Sequence, residues 1–73
     1  MITYLTVTFN SDGAKPSEVA QRLHSLGFVP TTGNYDFMYE WGMEAGVEEA
    51  VDLADQVHLT LKGMMVSYKI ETV

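Results

Sequence analysis

The chain has no cysteine and only four basic side chains, Lys15, Arg22, Lys62 and Lys69, against ten acids, for a formal charge of -6. Without cysteine it has no disulfide, no thiolate metal site and no cysteine nucleophile. His24 and His58 are the two histidines, so a structural zinc site would need several carboxylates, an uncommon ligand set. So few cations cannot build a surface that tracks phosphates, which makes nucleic acid and anionic membrane poor partners. No apolar run approaches the ~20 residues of a membrane span. The opening Met1-Ile2-Thr3-Tyr4-Leu5-Thr6 lacks the basic flank of a signal peptide. A P-loop, GxSxG and HExxH are also missing. The expectation is a soluble, cytoplasmic protein that is not an enzyme and calls for no cofactor, metal or catalytic residue.

What is present is a globular composition, 47% hydrophobic and 19% charged over 73 residues. That length predicts one domain, 1–73. A domain this small buries only about 60% of the surface its unfolded chain exposes, so its core needs a supplement. With disulfides excluded and zinc disfavoured, oligomerisation is the expected supplement.

Ile2 to Phe9 alternates, is rich in β-branched and aromatic residues and is apolar on both faces, which predicts a central strand. Asn10-Ser11-Asp12-Gly13 reads as a loop. Pro16 opens a helix that ends at Gly27, with Val19, Leu23 and Leu26 as its buried stripe. Phe28 to Thr32 reads as a short strand that Pro30, lacking an N–H, confines to a sheet edge. Gly33-Asn34 predicts a tight hairpin turn that pairs Phe28 with Tyr39, Pro30 with Phe37 and Thr32 with Tyr35. Strict alternation then places Tyr35, Phe37, Tyr39 and Trp41 on one face and Asp36, Met38 and Glu40 on the other.

A second helix is predicted from Val47 to Lys62, burying Val47, Ala50, Val51, Ala54, Val57 and Leu61, with Gly63 as its C-terminal cap. Met64 to Val73 alternates as a last strand. The order βαββαβ predicts an α+β, ferredoxin-like fold: a four-stranded antiparallel sheet, order 4-1-3-2, with both helices on one face. The open face would then present Ile2, Tyr4, Thr6, Met38 and Lys69, a mixed surface suited to a homodimer.

The candidate chemistry is sparse. Glu44, Glu48, Glu49, Asp52 and Asp55 form either a solvated helix face or a divalent-cation surface, the former being the usual role of such runs. His58 sits about 20° from Val47 on the helical wheel and reads as a semi-buried structural histidine unless a partner and a cleft complete it. His24 points to solvent. Asp36 and Glu40 would lie roughly 13 Å apart along one strand, too far to work as an acid/base pair. Asp36 is expected to accept a hydrogen bond from Thr31 or to cap the turn. The aromatic strand could stack bases if it faced outward, but the acidic charge favours core packing. No arginine follows the first strand, which argues against an acylphosphatase-type phosphate site. Trp41, at the strand end, is expected to line a pocket with the Gly42 to Gly46 loop.

Thr32-Gly33-Asn34-Tyr35-Asp36-Phe37-Met38, followed by an acidic helix and an alternating strand, resembles the RAM domain, the ligand-sensing half of Lrp/AsnC-type regulators. The helix-turn-helix of a full regulator is not in this chain. The resemblance implies dimerisation through the sheets and a small effector, commonly an amino acid, bound between subunits, with Gly33, Tyr35 and Asp36 near the pocket rim. Val57-His58, Gly63 to Ile70 and the opening Met1 to Asn10 resemble the small thiamine-binding ferredoxin-like family, whose basic C-terminal end this chain lacks. The combined expectation is a small-molecule-binding or regulatory homo-oligomer, with Gly33, Tyr35, Asp36 and Trp41 at the ligand. The alternative is an assembly module with no ligand.

Overall fold

The computed structural model describes residues 1–73. Its elements are β1 (Ile2–Thr8), α1 (Pro16–Leu26), β2 (Val29–Pro30), β3 (Phe37–Glu40), α2 (Val47–Leu61) and β4 (Ser67–Thr72). The strands form one antiparallel sheet in the order β2-β3-β1-β4, which is 4-1-3-2 read from the opposite edge. β1, apolar on both faces, is central, and the proline-containing β2 is an edge, as their sequences require. No helix is long and apolar enough to cross a membrane.

The core joins Leu5 and Val7 of β1 and Phe37 of β3 to Val19 and Leu23 of α1 and to Leu53, Val57 and Leu61 of α2, so both helices cover one side of the sheet. α1 keeps its predicted bounds and stops at Gly27, which adopts φ 108° and donates its N–H to the His24 carbonyl at 2.9 Å. A Cβ on Gly27 would lie 2.7 Å from the Tyr39 ring, so this position needs glycine both for its backbone angle and for space.

α2 rolls further than its apolar pattern implies. Leu53, Val57 and Leu61 are buried at spacings of four, while Val47 and Val51 are 78% and 53% exposed. Val47 and Val51 lie roughly 100° around the helix from the centre of that stripe, outside the arc that reaches the sheet. His58 lies in the same sector and is exposed rather than semi-buried. The helix is capped by extended Lys62, not by Gly63; Gly63 takes φ 83° one residue later, in a turn closed by Met64 N–H to the Leu61 carbonyl at 3.0 Å.

The tight hairpin is not formed. β2 is reduced to Val29–Pro30, β3 begins only at Phe37, and Thr31 to Asp36 form a longer connection closed by Thr31 N–H to the Asp36 carbonyl at 3.0 Å. The register Pro30 with Phe37 is nonetheless the expected one. Asp36 N–H donates to the carbonyl of Leu5, and Leu5 is already the partner of Phe37. Two residues of one strand thus oppose one residue of the other, which is a β-bulge and shifts the alternation by one. Tyr35 is consequently not on the face of Phe37 and Tyr39: it stacks on Tyr4, on the open side of the sheet.

Replacing Gly27 by alanine should lower the unfolding free energy by about 2–3 kcal/mol through strain and the clash with Tyr39. Gly42, with nothing near its absent Cβ and no positive φ, should accept alanine within about 0.5 kcal/mol. Urea titration of the two variants checks both values.

Candidate functional site on the open sheet face

Residues directly opposite one another in an antiparallel pair share a face. Val29 of β2, Met38 of β3, Tyr4 of β1 and Glu71 of β4 therefore form one row straight across the uncovered face. Ile2, opposite Glu40, and Thr6, opposite Lys69, flank it. Ile2, Tyr4, Thr6 and Met38 are all half-buried, and Lys69 is exposed. These five share the outward face that alternation assigned to them.

The bulge adds a sixth member. Tyr35 lies over Tyr4 with ring centroids 4.3 Å apart and planes at 19°, a stacked pair. Its hydroxyl donates to Glu71 Oε2 at 2.9 Å, and Lys69 Nζ lies 3.1 Å from Glu71 Oε1. Two rings, a carboxylate and an ammonium are thus held in one chain of contacts. The Glu71 carboxyl is held below its ordinary value by the hydrogen bond from Lys69, then by that from Tyr35 and by the ammonium charge. The Tyr35 phenol is held above its ordinary value by its bond to Glu71 and by the charge of that carboxylate.

Asp36 does not bond the Thr31 side chain or cap the turn. Its Oδ2 accepts the Val7 N–H at 2.9 Å, standing in for the backbone carbonyl that the bulge takes out of the ladder. Gly33 sits in the connection with φ 92° and open space around it. Trp41 lies on the helix side, 4.7 Å from Tyr39 between centroids, and donates its Nε1–H to Thr3 Oγ1 at 2.7 Å. Thr3 is fully buried and also bonds Thr72 Oγ1 at 2.7 Å. The small hollow beside Trp41, about 180 Å3, is lined by Leu26, Tyr39 and α2 side chains, not by the Gly42 to Gly46 loop.

The four residues assigned to a ligand are therefore spread over separate places: Tyr35 on the open face, Asp36 in the ladder, Gly33 at the turn and Trp41 among the helices. Sequence reasoning missed Glu71 as the partner of Tyr35 and Thr3 as the partner of Trp41. A threonine at a core-facing position of a central strand was the available signal for the second pair; the first pair depends on the bulge. His58 borders a hollow with Leu61, Lys62, Gly63, Met65, Val66 and Tyr68, and His24 is exposed on α1. No protein-family model, curated protein or solved structure matches the chain.

Asp36→Ala should leave the Val7 N–H without its acceptor and destabilise by about 1–2 kcal/mol, whereas Asp36→Asn, which keeps an oxygen there, should cost less than half as much. Chemical denaturation of both variants tests the contrast. The Tyr35–Glu71–Lys69 contacts also make stability depend on pH at both extremes. Glu71, with its folded value depressed, stabilises above its ordinary 4.5 and loses that contribution as pH falls through the lower folded value. Tyr35, with its folded value raised, stabilises below its ordinary 10.0 and loses that contribution as pH rises through the higher folded value. Stability profiles of the parent and of Glu71→Gln should therefore differ most near neutrality and converge towards both ends; parallel profiles would contradict the assignment.

Proposed function

We propose that the chain is an association module on the ferredoxin-like plan that acts as a homodimer, the open face of its sheet covered by a second copy. The observation that carries this reading is the uncovered row of Val29, Met38 and Tyr4, extended by Ile2 and by the Tyr35 ring stacked on Tyr4. An apolar, aromatic centre with charges at its margin is the composition of a protein interface. The small core of ten buried hydrophobic side chains supports the same reading, because covering this row would extend it.

One observation favours a small effector held between the two copies. Tyr35, Glu71 and Lys69 present a phenol, a carboxylate and an ammonium together on that face, donors and acceptors suited to a compound that carries both charges. An amino acid or a thiamine-like compound is the first class to try. A binder present at about 100 times its Kd would add about 2.7 kcal/mol to the unfolding free energy.

Light scattering across a concentration range, with a melting curve at each point, tests the dimer. The expected outcome is an assembly whose Tm rises with concentration, and a Met38→Lys variant that stays folded but has a lower mass and a lower Tm than the parent at each concentration. A parent dimer unaffected by Met38→Lys would remove the open face as the contact.

A further inference from the structure

The two edges of the sheet are unlike. At one edge β2 is two residues long and contains Pro30, which cannot donate to an added strand. At the other, β4 runs six residues without proline and pairs only with β1. Ile2 and Val73 exchange both backbone hydrogen bonds, at 2.8 and 2.9 Å, so Val73, Glu71, Lys69 and Ser67 turn their N–H and C=O groups towards β1. The backbone groups of Tyr68, Ile70 and Thr72 then point to the free edge. Beside that edge lies an open apolar groove of about 420 Å3, lined by Val47, Ala50, Val51 and Ala54 of α2 and by Ile70 and Val73. The exposed valines that the core leaves out are thus gathered where a fifth strand would lie.

We infer that this edge and groove are a second self-association surface, in which β4 pairs antiparallel with β4 of another copy and joins two sheets into one. The charges of β4 select its register. The outward-pointing Tyr68, Ile70 and Thr72 must meet their own kind, which allows three central alignments. Centring on Lys69 sets it against itself, and centring on Glu71 sets that carboxylate against itself; both oppose like charges in the closely spaced, non-hydrogen-bonded pairs. Centring on Ile70 sets Lys69 of each copy against Glu71 of the other, twice. In that alignment Ile70 meets Ile70, Tyr68 meets Thr72, and the two α2 grooves face each other across the two-fold axis. A second copy of this chain is the occupant that fits, because the complementary charges are its own and the interface is closed by symmetry.

The inference does not rest on the open-face reading, and the two are separable. Because the chain has no cysteine, single cysteines report the register directly. Lys69→Cys and Glu71→Cys proteins, each also carrying Met38→Lys to remove the open-face contact, are mixed and oxidised. The expected product is the mixed disulfide well above the statistical share of random collision, and Val51→Lys in the groove should weaken association by roughly tenfold or more. The exchange Lys69→Glu with Glu71→Lys should associate like the parent, while Lys69→Glu alone should not. Statistical disulfides together with no effect of Val51→Lys overturn the edge surface. Preferential Lys69→Cys or Glu71→Cys homodisulfides overturn the register. A Met38→Lys protein that is monomeric at every concentration overturns the edge surface and leaves the open-face reading standing.

Discussion

β1 has neighbours on both sides, so every backbone N–H and C=O along it has to be satisfied inside the sheet. On the β4 side this is simple, because the pairing runs from Thr3 with Thr72 to Thr8 with Ser67 without interruption. On the β3 side the ladder ends at Leu5 with Phe37, and Val7 N–H has no carbonyl to meet. The carboxylate of Asp36 fills that place. A side chain that serves as a piece of backbone has to sit beside the strand rather than above or below it, and the bulge at Asp36 provides that position.

Much of the outer surface depends on this one bond. With Asp36 held in the ladder, Tyr35 leaves the helix side and comes to rest on Tyr4, where its hydroxyl reaches Glu71. Had the alternation continued, Tyr35 would compete for the helix-side space that Phe37 and the edge-on and tilted rings of Phe28, Tyr39 and Trp41 already fill. The open face gains an aromatic platform that the core has no room for. Lys69 and Glu71 then serve two neighbours, Tyr35 on the face and whatever lies beyond the β4 edge.

Legibility followed the strength of the local pattern. β1 and α1 were readable because alternation, Pro16 and Gly27 all agree, and the strand order follows from the apolar character of β1 and the proline in β2. The hairpin was misread because Gly33-Asn34 and a run of alternating aromatics both point to a two-residue turn, while the deciding interaction joins Asp36 to Val7, 29 residues away in sequence. Long-range hydrogen bonds of this kind leave no periodic trace. α2 was misread chiefly in rotation, besides its cap: its apolar residues span more than one face, and nothing in the helix itself says which part of that arc meets the sheet. Leu53, buried but absent from the predicted stripe, and Val51, exposed but included in it, mark the size of the error. The same excess of apolar residues is what lines the groove beside β4. Trp41 was placed on the correct side, and its partner Thr3, conspicuous only as a polar residue at a core-facing position, could be matched to it only with β1 and the end of β3 side by side.

The acidic charge bears on which associations are permitted. A chain of net charge -6 repels copies of itself at long range, so apolar surface alone does not make it stick indiscriminately. Glu48 and Asp52 lie on α2 away from both the buried stripe and the exposed valines, and the open face carries its acids at the margin, at Glu40 and Glu71. A mating geometry that brings the apolar centres together while keeping these acids apart, or setting them against Lys69, is favoured over the many that do not. On the β4 edge that condition is met with Ile70 on the two-fold axis and fails when the strands slip by one step in either direction. A single lysine two residues before a single glutamate is enough to make that distinction, because antiparallel pairing about a two-fold axis sets each against the other's copy.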